Sequence, residues 1–238
     1  MFRAVLFAIL LLTSIQPGLA DTSNRDPFES FNRTSFAVHQ FLDTYFARPI
    51  ALTYRTIVPS PARTGIGNVF RNISEPITMA NALAQGQWGR FAQSSGRFVI
   101  NSTFGLLGLI DMASYFGIDD PREDTDQTLA VAGIPSGPYL FIPLLGPTTP
   151  RHLIGRGVDF ALTPYSHFDQ WEDRDGAYAL DVLHTRSELI DPLDDLSKTS
   201  ADLYISLRSF YFQNRASEIK NGEIDIESLP DVFDLGEE

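Results

Sequence analysis

Residues 98–110 read FVINSTFGLLGLI, and this stretch contains no charged side chain. As a helix it would be roughly 20 Å long, which is shorter than the roughly 30 Å hydrocarbon core of a bilayer. Gly105 and Gly108 would loosen such a helix, and Asp111 closes the stretch. This length is typical either of a buried core helix or of an interfacial segment that enters a membrane part-way. The pattern by itself leaves both interpretations open.

Upstream of this stretch the sequence predicts three helices. The first spans residues 26–46, with Asp26 as N-cap, and it is apolar over most of its circumference, which is typical of a helix that is deeply buried or touches lipid. Arg48-Pro49 is expected to end it, and residues 54–57 to form a short link. A second helix over residues 62–85 should kink or break at Glu75-Pro76, and a third follows over residues 87–100.

Downstream, residues 133–150 contain five prolines and three glycines, which exclude a continuous helix or a central strand. This apolar loop must be buried in protein or must contact another apolar surface. Further helices are expected over residues 154–162, 175–187 and 200–219, the second with Tyr178, Val182 and Leu189 facing inward. No repeat interrupts the pattern, so the sequence predicts one mainly α domain.

Both ends of the chain differ in character from this domain. Arg3, the apolar run over residues 4–12 and the small residues Gly18 and Ala20 follow the order of a secretory signal peptide. We therefore expect residues 1–20 to be cleaved, residues 21–222 to form the domain, and the acidic residues 223–238 to form a solvated tail.

The composition excludes several classes of function. The net charge of −12 argues against nucleic acid as a partner, because phosphate binding requires clustered Lys and Arg. The sequence contains no cysteine, which removes thiol catalysis and acyl attachment through an N-terminal Cys. GIPSG around Ser136 departs from the hydrolase pattern G-x-S-x-G, and the four histidines are scattered. The sequence therefore predicts no enzyme, no metal site and no cofactor.

Several motifs in collinear order resemble the MlaA (VacJ) family of Gram-negative outer-membrane proteins. They span about residues 25–215, and together they are highly specific. They are DPFESFNR at 26–33 with Asp26, Pro27, Phe28, Glu29, Phe31 and Asn32; NISEP at 72–76 with Glu75 and Pro76; GRFVINST at 96–103; GLLGLID at 105–111; QTL at 127–129; and GPYL at 137–140 with Gly137, Pro138 and Tyr139.

The resemblance implies an all-α, ring-shaped helical domain with a central amphipathic channel, lying partly embedded in one membrane leaflet. It also implies a transport component on the periplasmic side of the outer membrane. Such a protein removes phospholipids misplaced in the outer leaflet, passes them to a periplasmic carrier protein and works beside a trimeric porin. On this interpretation the passage for one lipid would be lined by residues of the charge-free stretch and by the aspartate that closes it, namely Phe98, Asn101, Ser102, Thr103, Phe104, Gly105, Leu107, Gly108 and Asp111.

Three departures from the family pattern bear on this interpretation. Family members commonly carry a lipoprotein Cys where Ala20-Asp21 stands, and many have Phe-Gly at Thr125-Asp126 and an Asp at His152. Thr125, Asp126 and His152 are expected in loops. Because an acyl anchor would be missing, a soluble periplasmic lipid-binding or scaffold protein remains the alternative.

Overall fold

The computed structural model describes residues 26–167 and 171–222. This part of the chain is mostly helical, as the sequence predicts, and it adds one small two-stranded sheet. The predicted signal peptide and acidic tail lie outside the described residues. Among the helices described, none combines the length and the apolar character needed to cross a bilayer.

The first helical segment is longer than predicted. Helix α1 (Glu29–Leu42) leads through a π-helical turn (Asp43–Ala47) into α2 (Arg48–Ile57). The prediction that Arg48-Pro49 ends the helix is wrong, and so is the short link over residues 54–57. The π turn shifts the hydrogen-bond register just before Pro49, so the proline falls in the first turn of α2, where its missing N–H is tolerated.

Helices α3 (Ser60–Ala84) and α4 (Trp88–Thr103) pack against each other as an antiparallel pair. A break at Glu75-Pro76 is not observed, since α3 runs through Pro76 as one helix. Packing along α4 holds α3 together across the one hydrogen bond that the proline cannot donate.

The charge-free stretch is helical only as far as Thr103, and residues 104–111 form a tight turn. Gly105 and Gly108 are required by this turn. A Cβ on Gly105 would lie 2.2 Å from the carbonyl oxygen of Ile110, and Gly108 has a φ of +95°. Leu106 and Leu107 also adopt positive φ angles of 54° and 60°, which is uncommon for residues with a Cβ.

The second half of the chain contains short elements that the sequence did not predict. After α5 (Met112–Tyr115) come α6 (Thr125–Val131) and a hairpin of β1 (Leu140–Ile142) and β2 (Gly146–Thr148) inside the predicted loop. The remaining elements are α7 (Pro150–Leu162), a 3₁₀ turn (Pro164–His167), α8 (Trp171–Glu188), α9 (Ile190–Thr199) and α10 (Leu203–Ile219). Thr125, Asp126 and His152 therefore lie on helices, and their predicted loop positions are wrong.

A cluster of buried apolar side chains is aromatic and lies between α1, the hairpin and α10. It consists of Tyr139, Phe141, Tyr204 and Tyr211, with Phe36 of α1 packed edge-on against Phe141. The hairpin places alternate side chains toward this cluster because successive residues of a strand point to opposite faces.

Many large apolar side chains remain exposed outside this core. Phe31, Phe41 and Tyr45 of the first helical segment are 55–66% exposed, so deep burial of that segment is wrong. The turn that follows α4 exposes Phe104, Leu106 and Leu107 by 65–75%, which removes the core interpretation of these side chains. Tyr178, Val182 and Leu189 are also more than two-fifths exposed rather than facing inward.

Candidate functional site

Two adjoining cavities flank α3. The first, here called the amphipathic cavity, measures about 610 Å³ and lies between α3, α6, α7 and α8. The second, here called the polar cavity, measures about 510 Å³ and lies between α3, α8 and the segment that precedes α6. Arg71, Ser74 and Arg122 line both, so the two cavities meet at these residues.

The amphipathic cavity combines an apolar wall with charged groups. Its apolar side is formed by Ile77, Leu153, Phe160 and Tyr178, and the Phe160 and Tyr178 rings meet edge to face with centroids 5.4 Å apart. Cavities of this volume and mixed lining are typical of sites for small molecules. Arg156 and several carboxylates face the same space.

Arg71 occupies the junction of the cavities and is already paired. Its Nε donates to Asp120 Oδ1 at 2.8 Å, and its second guanidinium nitrogen donates to Asp120 and to the carbonyl oxygen of Pro121. Burial would raise the pKa of Asp120, but the hydrogen bonds and charge of Arg71 outweigh that and hold it below its usual range. Arg71 therefore stabilises the wall of the cavities through its bonds to Asp120 and Pro121.

A buried ionic network joins α3, α4 and the turn behind the polar cavity. Glu75 is fully buried and accepts from Ser94 and, at 3.3 Å, from Nε of Arg97. Arg97, only 2% exposed, also donates to Asp111 at 2.9 Å. Burial raises the pKa of Glu75, with the charge of Arg71 opposing. Hydrogen bonds from Ser114, Arg97 and Asn101 overcome burial and lower the pKa of Asp111 to about 2.

Asn101 belongs to the same network. Its amide nitrogen donates to Asp111 at 3.0 Å, and its amide oxygen accepts from the backbone N–H of Ala113 at 2.8 Å. Both ends of the side chain are thus engaged within the protein, and they fix the turn of residues 104–111 to the end of α4.

A second ionic cluster connects α6, α7 and α10. The buried carboxylate of Asp126 accepts from Nε of Arg151 at 2.6 Å and from Arg215, which also bonds Asp124 at 2.8 Å. His152 stacks on Tyr211 with ring centroids 5.7 Å apart, and its burial lowers its pKa to about 4. Thr125 and His152, two of the departures from the family pattern, therefore lie at packed helix positions near the amphipathic cavity.

Comparison with known proteins identifies the family. The sequence pattern of the family described as MlaA lipoprotein matches residues 24–218. The chain belongs to the MlaA lipoprotein family. It is 33% identical to the "Intermembrane phospholipid transport system lipoprotein MlaA" of Shigella flexneri over 94% of this chain and 90% of that protein. The protein of the same name from Escherichia coli K12 is 32% identical over the same shares.

A solved MlaA-type structure agrees with the fold. It comes from work on the structural basis for maintenance of bacterial outer membrane lipid asymmetry, and it matches with a TM-score of 0.72 at 35% identity. The match covers 82% of this chain and all of that one. The predicted all-α family fold is thereby confirmed.

The structure explains why the MlaA motifs at residues 26–33 and 137–140 occur together. Asn32 is fully buried, and its amide nitrogen donates to the carboxylate of Asp26 at 2.9 Å and to the carbonyl oxygen of Tyr139 at 3.0 Å. Its amide oxygen accepts from the backbone N–H of Phe141 at 2.9 Å. One side chain thus fixes α1 to the hairpin. By contrast, Pro27, Glu29, Gly137 and Pro138 are exposed.

We expect Asn32→Ala to lower the free energy of unfolding by about 2–4 kcal/mol, because it leaves the buried N–H of Phe141 and the carbonyl of Tyr139 unpaired. Urea unfolding followed by circular dichroism measures this change. Thr34→Ala, two residues away on the exposed side of α1, is the control and should change stability by less than about 0.5 kcal/mol. Equal effects of the two substitutions would contradict the role of Asn32.

Of the residues predicted to line a passage, one lines a cavity that the structure describes. Asp111 lines the polar cavity. The others are absent from the lining of both cavities as described. Phe98 is half-buried on α4, Asn101 bonds Asp111 in the turn, and Ser102 accepts from Asn72 of α3. Thr103, Phe104 and Leu107 are exposed, and Gly105 and Gly108 are buried in the turn. Their role in a passage stays a prediction.

The cavity residues that sequence reasoning missed are Arg122, Arg156, Phe160 and Tyr178. The local sequence around each of them has the pattern of an ordinary helix or loop and does not indicate a cavity. Only the packing of α7 and α8 around α3 brings them to one space. The Ser136 hydroxyl, the nucleophile considered from the sequence, donates to the carbonyl oxygen of Gly137 at 3.3 Å, and no histidine of the described residues forms a hydrogen bond with it.

Proposed function

We propose that this protein is an outer-membrane component of intermembrane phospholipid transport. It takes phospholipids misplaced in the outer leaflet and passes them to a periplasmic carrier protein, and this maintains lipid asymmetry. The observation that carries the proposal is the amphipathic cavity, which offers an apolar wall for acyl chains beside cationic groups for a head group. The names of the MlaA relatives support the same process.

The route for the lipid is part of the proposal. The amphipathic and polar cavities meet at Arg71, Ser74 and Arg122. Together they would form the channel through a ring of helices. A lipid would move along this channel with its tails on the apolar wall. Asp111, which follows the charge-free stretch, would border this channel.

The protein would lie in the periplasmic side of the outer membrane. Exposed apolar side chains on α1, α2 and the turn after α4 are the surface that one leaflet would cover. These side chains and contact with a trimeric porin would retain the protein at the membrane.

Deletion of the gene tests the function. We expect more phospholipid at the cell surface, measured by a membrane-impermeant amine-reactive label for phosphatidylethanolamine, and a weaker barrier to detergent. Expression of the intact gene in the deleted strain should restore both. Unaltered surface phospholipid in a clean deletion would contradict the proposed function.

The absence of cysteine also supports a second candidate, a soluble periplasmic lipid-binding or scaffold protein. Cell fractionation separates the two. Recovery in the membrane pellet after carbonate washing supports the outer-membrane component, and recovery in the osmotic-shock fluid supports the soluble protein.

A further inference from the structure

The amphipathic cavity contains more negative groups than its function in lipid transport would suggest, but these groups are already engaged. Glu123 accepts from Arg90 at 2.5 Å and from Gln85 at 2.8 Å. Glu218 accepts from Arg215 at 2.6 Å. Their charge is therefore balanced within the wall, and little of it is directed at a ligand.

Asp124 and Asp159 are engaged as well. Asp124 accepts from Arg215 and caps α6 through the backbone N–H of Gln127. Asp159 accepts from the hydroxyl of Thr125 at 2.6 Å and from its backbone N–H, and burial raises the pKa of Asp159. Both carboxylates are therefore paired within the wall of the cavity.

Two arginines of the cavity contrast with these acids. Arg156 donates one hydrogen bond, to the carbonyl oxygen of Leu145 at 3.2 Å, and no carboxylate of the described residues pairs with it. Arg122 is 74% exposed and has one carboxylate partner, Asp120 at 3.2 Å. A guanidinium carries five N–H donors, so both side chains retain donors for a ligand.

These donors lie beside the apolar wall of the amphipathic cavity. Arg156 lies on α7 one turn from Leu153 and Phe160, which form the apolar wall, and Arg122 lies where the two cavities meet. The planar fork of a guanidinium fits phosphate oxygens in a bidentate way, and such charge-assisted bonds are about twice as strong as neutral ones.

We propose that Arg122 and Arg156 bind the phosphodiester of a phospholipid in the amphipathic cavity, while its acyl chains lie against Leu153, Phe160 and Tyr178. This inference rests on the proposed function and names its head-group site. It makes the phosphate, rather than the apolar tails, the feature that selects the lipid.

Lipid binding by the detergent-purified protein tests the assignment. The probes are phosphatidylglycerol and diacylglycerol that carry the same fluorescent acyl chain, followed by fluorescence anisotropy. We expect the protein to bind phosphatidylglycerol at least about tenfold more tightly than diacylglycerol. The double variant Arg122→Gln/Arg156→Gln should lose about tenfold or more in phosphatidylglycerol affinity and should keep its diacylglycerol affinity.

Arg48→Gln is the matched control, since Arg48 is an arginine outside both cavities that pairs with Asp194. It should bind both probes as the unsubstituted protein does. Thermal melting checks that the double variant is folded, which we expect because neither arginine is buried.

Each of the other outcomes contradicts a specific part of the account. A double variant that keeps its preference for phosphatidylglycerol overturns the arginine site and leaves the proposed function intact. Displacement of the labelled lipid by millimolar inorganic phosphate assigns the arginines to small anions and contradicts the lipid site. An unsubstituted protein that binds neither probe contradicts the proposed function itself.

Discussion

Arg97→Met is expected to lower the free energy of unfolding by about 3–5 kcal/mol, because it removes one partner of a buried ion pair and leaves Glu75 with the weaker pairing to Arg71 at 3.5 Å. Glu75 is fully buried, and Arg97 also holds Asp111 and the carbonyl oxygen of Ile118 at 3.0 Å. The substitution would therefore unpair groups on α3, at the end of the turn and after α5. Urea or thermal unfolding of the purified protein measures the loss.

An arginine whose carboxylate partner is exposed gives the matched control. Arg55 pairs with Asp191 at 2.9 Å, but the Asp191 side chain is 70% exposed. Exposed pairs contribute at most about 1 kcal/mol, so Arg55→Met should have a small effect. If Arg97→Met were as mild as Arg55→Met, the network would not be what holds the turn in place.

The double variant Leu106→Asp/Leu107→Asp is expected to release the protein from membranes. Burial of one leucine side chain in the membrane stabilises the bound state by about 1.5–3 kcal/mol. The loss of two such side chains should therefore reduce the ratio of membrane-bound to free protein by at least about 100-fold. Flotation with vesicles of phosphatidylethanolamine and phosphatidylglycerol measures the ratio.

The backbone makes this test independent of folding. Leu106 and Leu107 have positive φ angles and are 65% and 75% exposed, so their side chains contribute little to the core. Asp tolerates the left-handed region better than Leu, and the double variant should fold at least as well. Backbone strain at two exposed leucines is typical of a functional position, and here it indicates a contact surface.

A control separates the position from the added charge. Gln213→Asp/Asn214→Asp places the same two charges on exposed positions of α10. This variant should remain with the vesicles. Retention of the Leu106/Leu107 variant, or release of both variants alike, would show that the turn is not the membrane contact.

Periodicity predicted the helices well where one apolar face packs on a neighbour. The helix expected over residues 200–219 appears as α10, with Asp202 accepting from the backbone N–H groups of Tyr204 and Ile205. Local rules were weaker at prolines. Pro49 and Pro76 both lie inside helical segments, because a π turn and packing on α4 compensate for the missing hydrogen bonds.

Sequence could not decide which apolar faces are covered by protein. The 3–4 spacing in α8 indicates one face for Tyr178 and Val182, but spacing does not say what lies opposite that face. In the fold Tyr178 borders a cavity and Val182 is half exposed. A surface solvated by lipid has the same pattern as a surface packed in a core.

The cavity and the ionic clusters depend on contacts between residues far apart in the chain. Arg215 bonds Asp126 across 89 positions, and Asn32 bonds Tyr139 across 107. No local spacing predicts such pairs. The resemblance to the family identified the motif residues, yet their partners became visible only when the helices were placed together.

Photo-crosslinking to lipid tests the central claim most directly, namely that a helical body embedded in one leaflet encloses a route for a phospholipid. Benzoylphenylalanine would replace Phe160 in the amphipathic cavity, Leu107 in the exposed turn and Gln213 on α10 as the control. Illumination of membranes should attach phospholipid at positions 160 and 107 and not at 213. Attachment at 107 without attachment at 160 would mean that the protein only rests on the membrane, and would contradict the route through its interior.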